Sequence, residues 1–132
     1  MSCERTAGQF LVLESDGIEI WVGDFFALKP DMLPGLTAWY DRAAIVALEP
    51  SVRPAYAEQI GRLLAHEADG FMLTFDYPAN EREGPPFSVS FADVEATFGH
   101  AFTIQQLDCI DLTEGNRWEL SRVLKPVVSL RR

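Results

Sequence analysis

A chain of 132 residues with twenty acidic against eleven basic side chains has a formal charge of −9, which repels phosphate backbones and excludes nucleic acid as the expected partner. Its 48% hydrophobic and 23% charged residues match a folded domain rather than a disordered chain, and one domain of this size buries roughly two thirds of its unfolded surface. No run approaches the roughly 20 apolar residues of a membrane span, and the opening MSCERTAGQF lacks the apolar centre of a secretory signal, so a soluble cytoplasmic protein is expected.

In chain order, Gln9 to Glu14 and Ile18 to Val22 are β-rich runs joined by Ser15-Asp16-Gly17, and Asp-Gly between such runs predicts a hairpin. Pro30, Pro34 and Gly35 then forbid a long helix. The run WYDRAAIVAL, Trp39 to Leu48, ends almost wholly apolar, as a strand covered on both faces would. Ser51 is a good N-cap for a helix in which Tyr56, Ile60, Leu63 and Leu64 share one face, with Pro54 harmless in the first turn. Gly70 to Asp76 reads as a second buried strand, and Ala43–Leu48 and Gly70–Phe75 are expected to be parallel neighbours across that helix.

Tyr77 to Ser88 is a proline-rich loop, after which Ser90 and Asp93 predict a capping box and Gly99 a stop, with Phe91, Val94 and Phe98 as the buried stripe. Ala101–Asp111 and Glu119–Leu130 complete the chain as two strands about the turn Glu114-Gly115-Asn116, Pro126 marking the second as an edge strand or a bulge. The pattern is α/β, ending in an antiparallel pair, with no internal boundary in residues 1–132.

Several kinds of chemistry are missing. Cys3 and Cys109 lack CxxC spacing and read as reduced thiols, and His66 and His100 have no neighbour at ligand spacing, so no metal is expected. There is no nucleophile elbow, no Walker motif and no cysteine near a histidine, hence no catalytic nucleophile. The basic residues Arg117, Arg122, Lys125, Arg131 and Arg132 read as a solvated face.

Ligands of open α/β sheets bind at the carboxyl ends of strands, and three such ends carry polar or aromatic groups. They are Gly23-Asp24-Phe25-Phe26, Asp41-Arg42 and Asp76-Tyr77-Pro78. At the first, Gly23 admits close backbone approach, Asp24 could accept from an adenine amine and Phe25 could pack on its face. The same residues equally make a plain strand-ending turn with two core phenylalanines. At the second, Arg42 could grip a ligand carboxylate such as that of S-adenosylmethionine, or simply pair with Asp41. The stiff Gly84-Pro85-Pro86-Phe87 loop could wall a substrate pocket or merely connect.

The ordered runs GIEIWVGDFFAL, WYDRAAIVAL, GFMLTFDYP and GPPFSVSFADVEATFG, followed by the final strand pair, resemble the thiopurine S-methyltransferase family from about Gly17 to Leu130. The resemblance implies a class I methyltransferase (Rossmann-like) sheet and methyl transfer from S-adenosylmethionine to a thiol, selenol or metalloid small molecule. By position, Gly23 and Asp24, with Phe25, match the adenine end of the cofactor site. Asp41 and Arg42 match the Asp-Arg motif beside cofactor and acceptor, and Arg117 lies near a second, substrate-side arginine.

The family's N-terminal helix, Gly-rich turn and ribose-binding acid precede the matched region. The resemblance therefore implies a single, truncated domain whose N-terminal strands and family-like upstream segment are missing, or whose remaining elements close up differently. The alternative it leaves is a non-catalytic nucleotide- or protein-binding remnant of the same fold.

Overall fold

The computed structural model describes residues 2–132, which fall into two units, one running through Pro34 and the other Gly35–Arg132. The first unit is a three-stranded antiparallel sheet of β1 (Ser2–Ala7), β2 (Phe10–Ser15) and β3 (Ile18–Val22), in that spatial order. The Asp-Gly hairpin is present, with Asp16 at φ 52° and Gly17 at φ 81°, the left-handed pair that a tight two-residue turn needs. β1 has no apolar alternation and is an addition to the sequence reading. It pairs because Gly8, at φ 58°, turns Ala7 back onto Phe10.

One face of this sheet carries the buried Phe10 and Val12 beside Trp21, whose ring meets that of Phe10 at 5.7 Å. Arg5, opposite Val12 in the register, lies 5.3 Å over Trp21 and pairs with Glu19 at 2.7 Å. The opposite face leaves Leu11, Ile18, Ile20 and Val22 exposed. After β3 come only 3₁₀ turns at Phe25–Ala27 and Pro30–Met32, as the prolines require.

In the second unit β4 (Ala38–Arg42), β5 (Asp69–Leu73), β6 (Thr103–Asp111) and β7 (Leu124–Arg131) form a mixed sheet in the order β4-β5-β7-β6. β4 and β5 are parallel, joined through α1 (Arg53–Leu63), and β7 is antiparallel to both β5 and β6. α2 (Phe91–Phe98) lies on the same face as α1. Trp39 is the hub there, its ring 5.3 Å from Phe98, 6.0 Å from Phe102 and 6.4 Å from Tyr56. Gly70 sits where a Cβ would fall 2.5 Å from the Trp39 ring, so glycine lets that ring lie on β5. Burying Phe98 alone contributes about 2–3 kcal/mol. On the other face Tyr40 and Phe71 stack at 6.0 Å in the open.

The parallel pair exists, but one of its members differs from expectation. Ala43–Leu48 is not a strand: β4 stops at Arg42, and Ile45–Ala47 forms a buried 3₁₀ turn. The physical reason is the Asp41 carboxylate, which captures the N–H groups of Ala44 and Ile45 and so takes them from a ladder.

Three smaller corrections follow the same pattern of local hydrogen bonding. Ser51 lies in a 3₁₀ turn, Pro50–Val52, and Val52 occupies the N-cap of α1 without a side-chain bond. The final strand starts at Leu124 rather than Glu119. The Asn116 side chain bonds Thr113 and both backbone groups of Leu120, holding that segment as a loop. Pro126 lies in an inner strand, not an edge. Its carbonyl accepts from Thr74, one residue past the β5–β7 ladder, and on its other side it stands in register with Cys109 of β6. The register irregularity sits opposite, between Gln106 and Asp108 of β6. The capping box of α2, Ser90 with Asp93, forms as expected.

Candidate functional site

At the end of β3, Asp24 is the N-cap of the turn Phe25–Ala27, and its Oδ1 accepts the Phe26 N–H at 2.9 Å. The Phe25 and Phe26 rings meet edge-on at 5.6 Å. Gly23 is needed for packing, since a Cβ there would lie 2.5 Å from the Phe10 ring. Gly23 and Asp24 are exposed, and Phe25 is half-buried.

At the end of β4, alternation along the strand turns Asp41 inward and Arg42 outward. Asp41 is 1% exposed. Its Oδ1 accepts from Ala44 N at 3.0 Å, its Oδ2 from Ile45 N at 3.2 Å and from the Tyr56 hydroxyl at 2.5 Å. Burial first, and then the Asp41 charge, push the Tyr56 hydroxyl far above its usual pKa, so it stays a donor. Between the two ends of this clasp Ala43 takes φ 79°, a left-handed conformation that costs an alanine about 1–2 kcal/mol. Such strain persists only where the surroundings over-determine it, and Asp41 with Tyr56 does so here.

Asp41 and Arg42 do not pair. Among the described residues no carboxylate lies within 4.0 Å of the Arg42 guanidinium, which is left exposed at the carboxyl end of β4. The sequence reading assigned Tyr56 only to the buried helix face. Its service to Asp41, one strand away, has no local signal, and neither has the strain at Ala43.

The third strand end is engaged: Asp76 pairs with Arg122 at 3.2 Å and bridges to Leu124 through the backbone. The loop after it is a wall of a cleft. Glu49, Pro50, Arg53, Tyr77, Arg82 and Phe87 are among the residues lining about 500 Å³ of space. A Cβ on Gly84 would run into the Phe87 ring, and the Tyr77 hydroxyl donates to the Pro86 carbonyl at 2.7 Å, so the loop folds on itself. Arg117 lies 5.1 Å from the centre of the Trp118 ring. Among the described residues no group of three His, Cys, Asp or Glu could hold a metal, and no helix is long and apolar enough to cross a membrane.

The family model for Thiopurine S-methyltransferase (TPMT) matches residues 2–132, further toward the amino end than the motifs alone reached. Among curated proteins, a "Thiopurine S-methyltransferase" of Pseudomonas fluorescens (strain SBW25) is 41% identical over 112 residues, covering 85% of this chain and 51% of that protein. One from Nitrosospira multiformis is 45% identical over 107 residues, covering 80% and 49% respectively. A "Probable thiopurine S-methyltransferase" of Yarrowia lipolytica is 35% identical over 108 residues, covering 82% and 50%. The chain spans about half the length of the curated relatives it matches.

Proposed function

Because the chain belongs to the thiopurine S-methyltransferase family, we propose that it carries part of the cofactor and acceptor site of an S-adenosylmethionine-dependent methyltransferase. The acceptor is a small thiol, selenol or metalloid compound. In this reading the two units are parts of one methyltransferase domain, and the activity belongs to a protein of full family length. The cofactor, when bound, supplies a methyl group already activated on a sulfonium, so no protein nucleophile is needed. What remains for the chain is to bind, orient and exclude water.

One observation supports the reading: among the described residues Arg42 has no carboxylate partner at a strand's carboxyl end, while both oxygens of Asp41 beside it hold the turn and Tyr56. Arg42 is thus the group of this pair that can meet ligand. Its planar guanidinium suits a carboxylate or the developing charge of an acceptor. Asp41 acts on substrate only through Arg42, as a positioning residue. At the other strand end, Asp24 spends one oxygen on Phe26 and is exposed, which suits it to an adenine amine, with Phe25 against the ring. Gly23 lets the backbone approach the ligand closely, and the Phe10 ring beside it leaves no room for a side chain there.

The test is methyl transfer to a small aromatic thiol by the protein at full family length, made by joining these residues to the amino-terminal half of a relative. Arg42→Ala should lose about 1.5–3 kcal/mol of charged hydrogen bonding, tenfold or more in kcat/KM at about 1.4 kcal/mol per decade. Arg42→Lys should recover only part, because an ammonium cannot make the planar two-point contact. Unchanged kinetics in Arg42→Ala would remove Arg42 from the site.

A further inference from the structure

Arg53, in the first turn of α1, is 7% exposed, yet among the described residues it makes one hydrogen bond, from Nη2 to the Ser88 carbonyl at 3.2 Å. Its Nε is buried with no partner, and among the described residues no carboxylate lies within 4.0 Å. A guanidinium has five donors, and burying it uncompensated is costly. Desolvation accordingly lowers its pKa, with Asp93 and Tyr77 acting from further away. Asp93, whose charge acts on Arg53, holds its Oδ2 in the α2 capping box.

Arg53 lines the cleft of about 500 Å³ under the Gly84–Phe87 loop. A second guanidinium, Arg82, lines it too and is held there. Its Nη1 donates to the Glu83 and Pro85 carbonyls at 2.9 and 3.2 Å, and its plane lies 4.6 Å from the centre of the Trp118 ring. Glu49 and Glu83 also line the cleft, but both are exposed and solvated, whereas Arg53 is not. A second cleft beside Arg53 carries Glu58, Asp93 and His100 and has no second arginine.

We propose that the cleft between Arg53 and Arg82 binds a small oxyanion of the carboxylate or phosphate type. An anion supplies acceptors for the Arg53 donors that line the cleft and that the single bond to Ser88 leaves over, and charge-assisted bonds to a guanidinium are the strong kind. The site is independent of the methyl-transfer reading, since neither Arg42 nor Asp24 lines it.

The experiment follows the arginine Nε–Hε signals and the Tyr77 and Ser88 backbone amides by NMR. The chain is titrated with inorganic phosphate, sodium acetate and, as control, sodium chloride at matched ionic strength. A saturable shift of the Arg53 signal with phosphate or acetate, and none with chloride, is expected. Saturation by phosphate alone assigns a phosphate-type ligand, and saturation by acetate assigns a carboxylate. Arg53→Lys, checked for folding by circular dichroism, should abolish the saturable change at Tyr77 and Ser88. Arg82→Gln should weaken it about threefold to tenfold. Linear or absent shifts in the unaltered chain with both anions, or undiminished binding in Arg53→Lys, would overturn the site.

Discussion

At the carboxyl ends of β3 and β4 an aspartate accepts a backbone N–H, and these two ends behave as opposites. Asp24 follows β3, is exposed, and closes one 3₁₀ turn with a single bond at 2.9 Å. Asp41 lies within β4, is 1% exposed, and gathers two backbone donors and a tyrosine hydroxyl. The first is a local cap that any short peptide could form. The second depends on a helix fifteen residues away in sequence, and it stabilises a left-handed alanine that the chain would not adopt alone. One residue type, set at two burials, is a surface convenience in one place and a structural clasp in the other.

The largest effect expected from breaking this comparison is at Asp41. Asp41→Ala removes the acceptor that the Ala44 and Ile45 N–H groups and the Tyr56 hydroxyl share and should cost about 3 kcal/mol or more, read as a lower urea midpoint. A loss under about 1 kcal/mol would put Asp41 on a par with Asp24 and erase the distinction.

Tyr56→Phe keeps the ring against Trp39 and Phe98 and removes only the hydroxyl, for an expected cost of about 1–2 kcal/mol. The pH dependence sharpens this test. A tyrosine whose folded pKa is raised contributes stability that is complete below its usual 10.0 and falls as pH rises past it. The unaltered chain should therefore lose about 1.4 kcal/mol per pH unit just above that value on account of this residue. Tyr56→Phe should flatten that part of the decline, and two stability curves, from pH 8 to 11, decide the matter. Parallel curves would mean that the hydroxyl is not the titrating group.

Asp24→Ala should be the mildest change, about 0.5–1 kcal/mol, the ordinary cost of a lost N-cap. Any loss of methyl transfer in the protein at full family length beyond that proportion would assign Asp24 to ligand rather than to the turn.

The features legible in sequence are those that close within a few residues. The Asp16-Gly17 hairpin, the Ser90–Asp93 capping box with its Gly99 stop, and the Tyr56, Ile60, Leu63 face of α1 were all readable, because a turn, a cap and a helical period are properties of neighbours. The ordered motifs likewise carried the family, over most of the chain. At the candidate site, the sequence marked the strand ends Gly23-Asp24-Phe25 and Asp41-Arg42 but not what each residue does there.

Tertiary structure decided the rest, for one physical reason. An apolar run such as Ala43–Leu48 has no preference between strand and turn until its N–H groups find acceptors. The acceptor proved to be the Asp41 side chain, locked by Tyr56 from α1, so the strand ended early and Arg42 was left free of its neighbour. Pro126 in an inner strand and Arg53 buried with an unpartnered Nε have the same origin. Each depends on which distant group comes within hydrogen-bond reach, and that is a property of the packed chain rather than of the residue's neighbours.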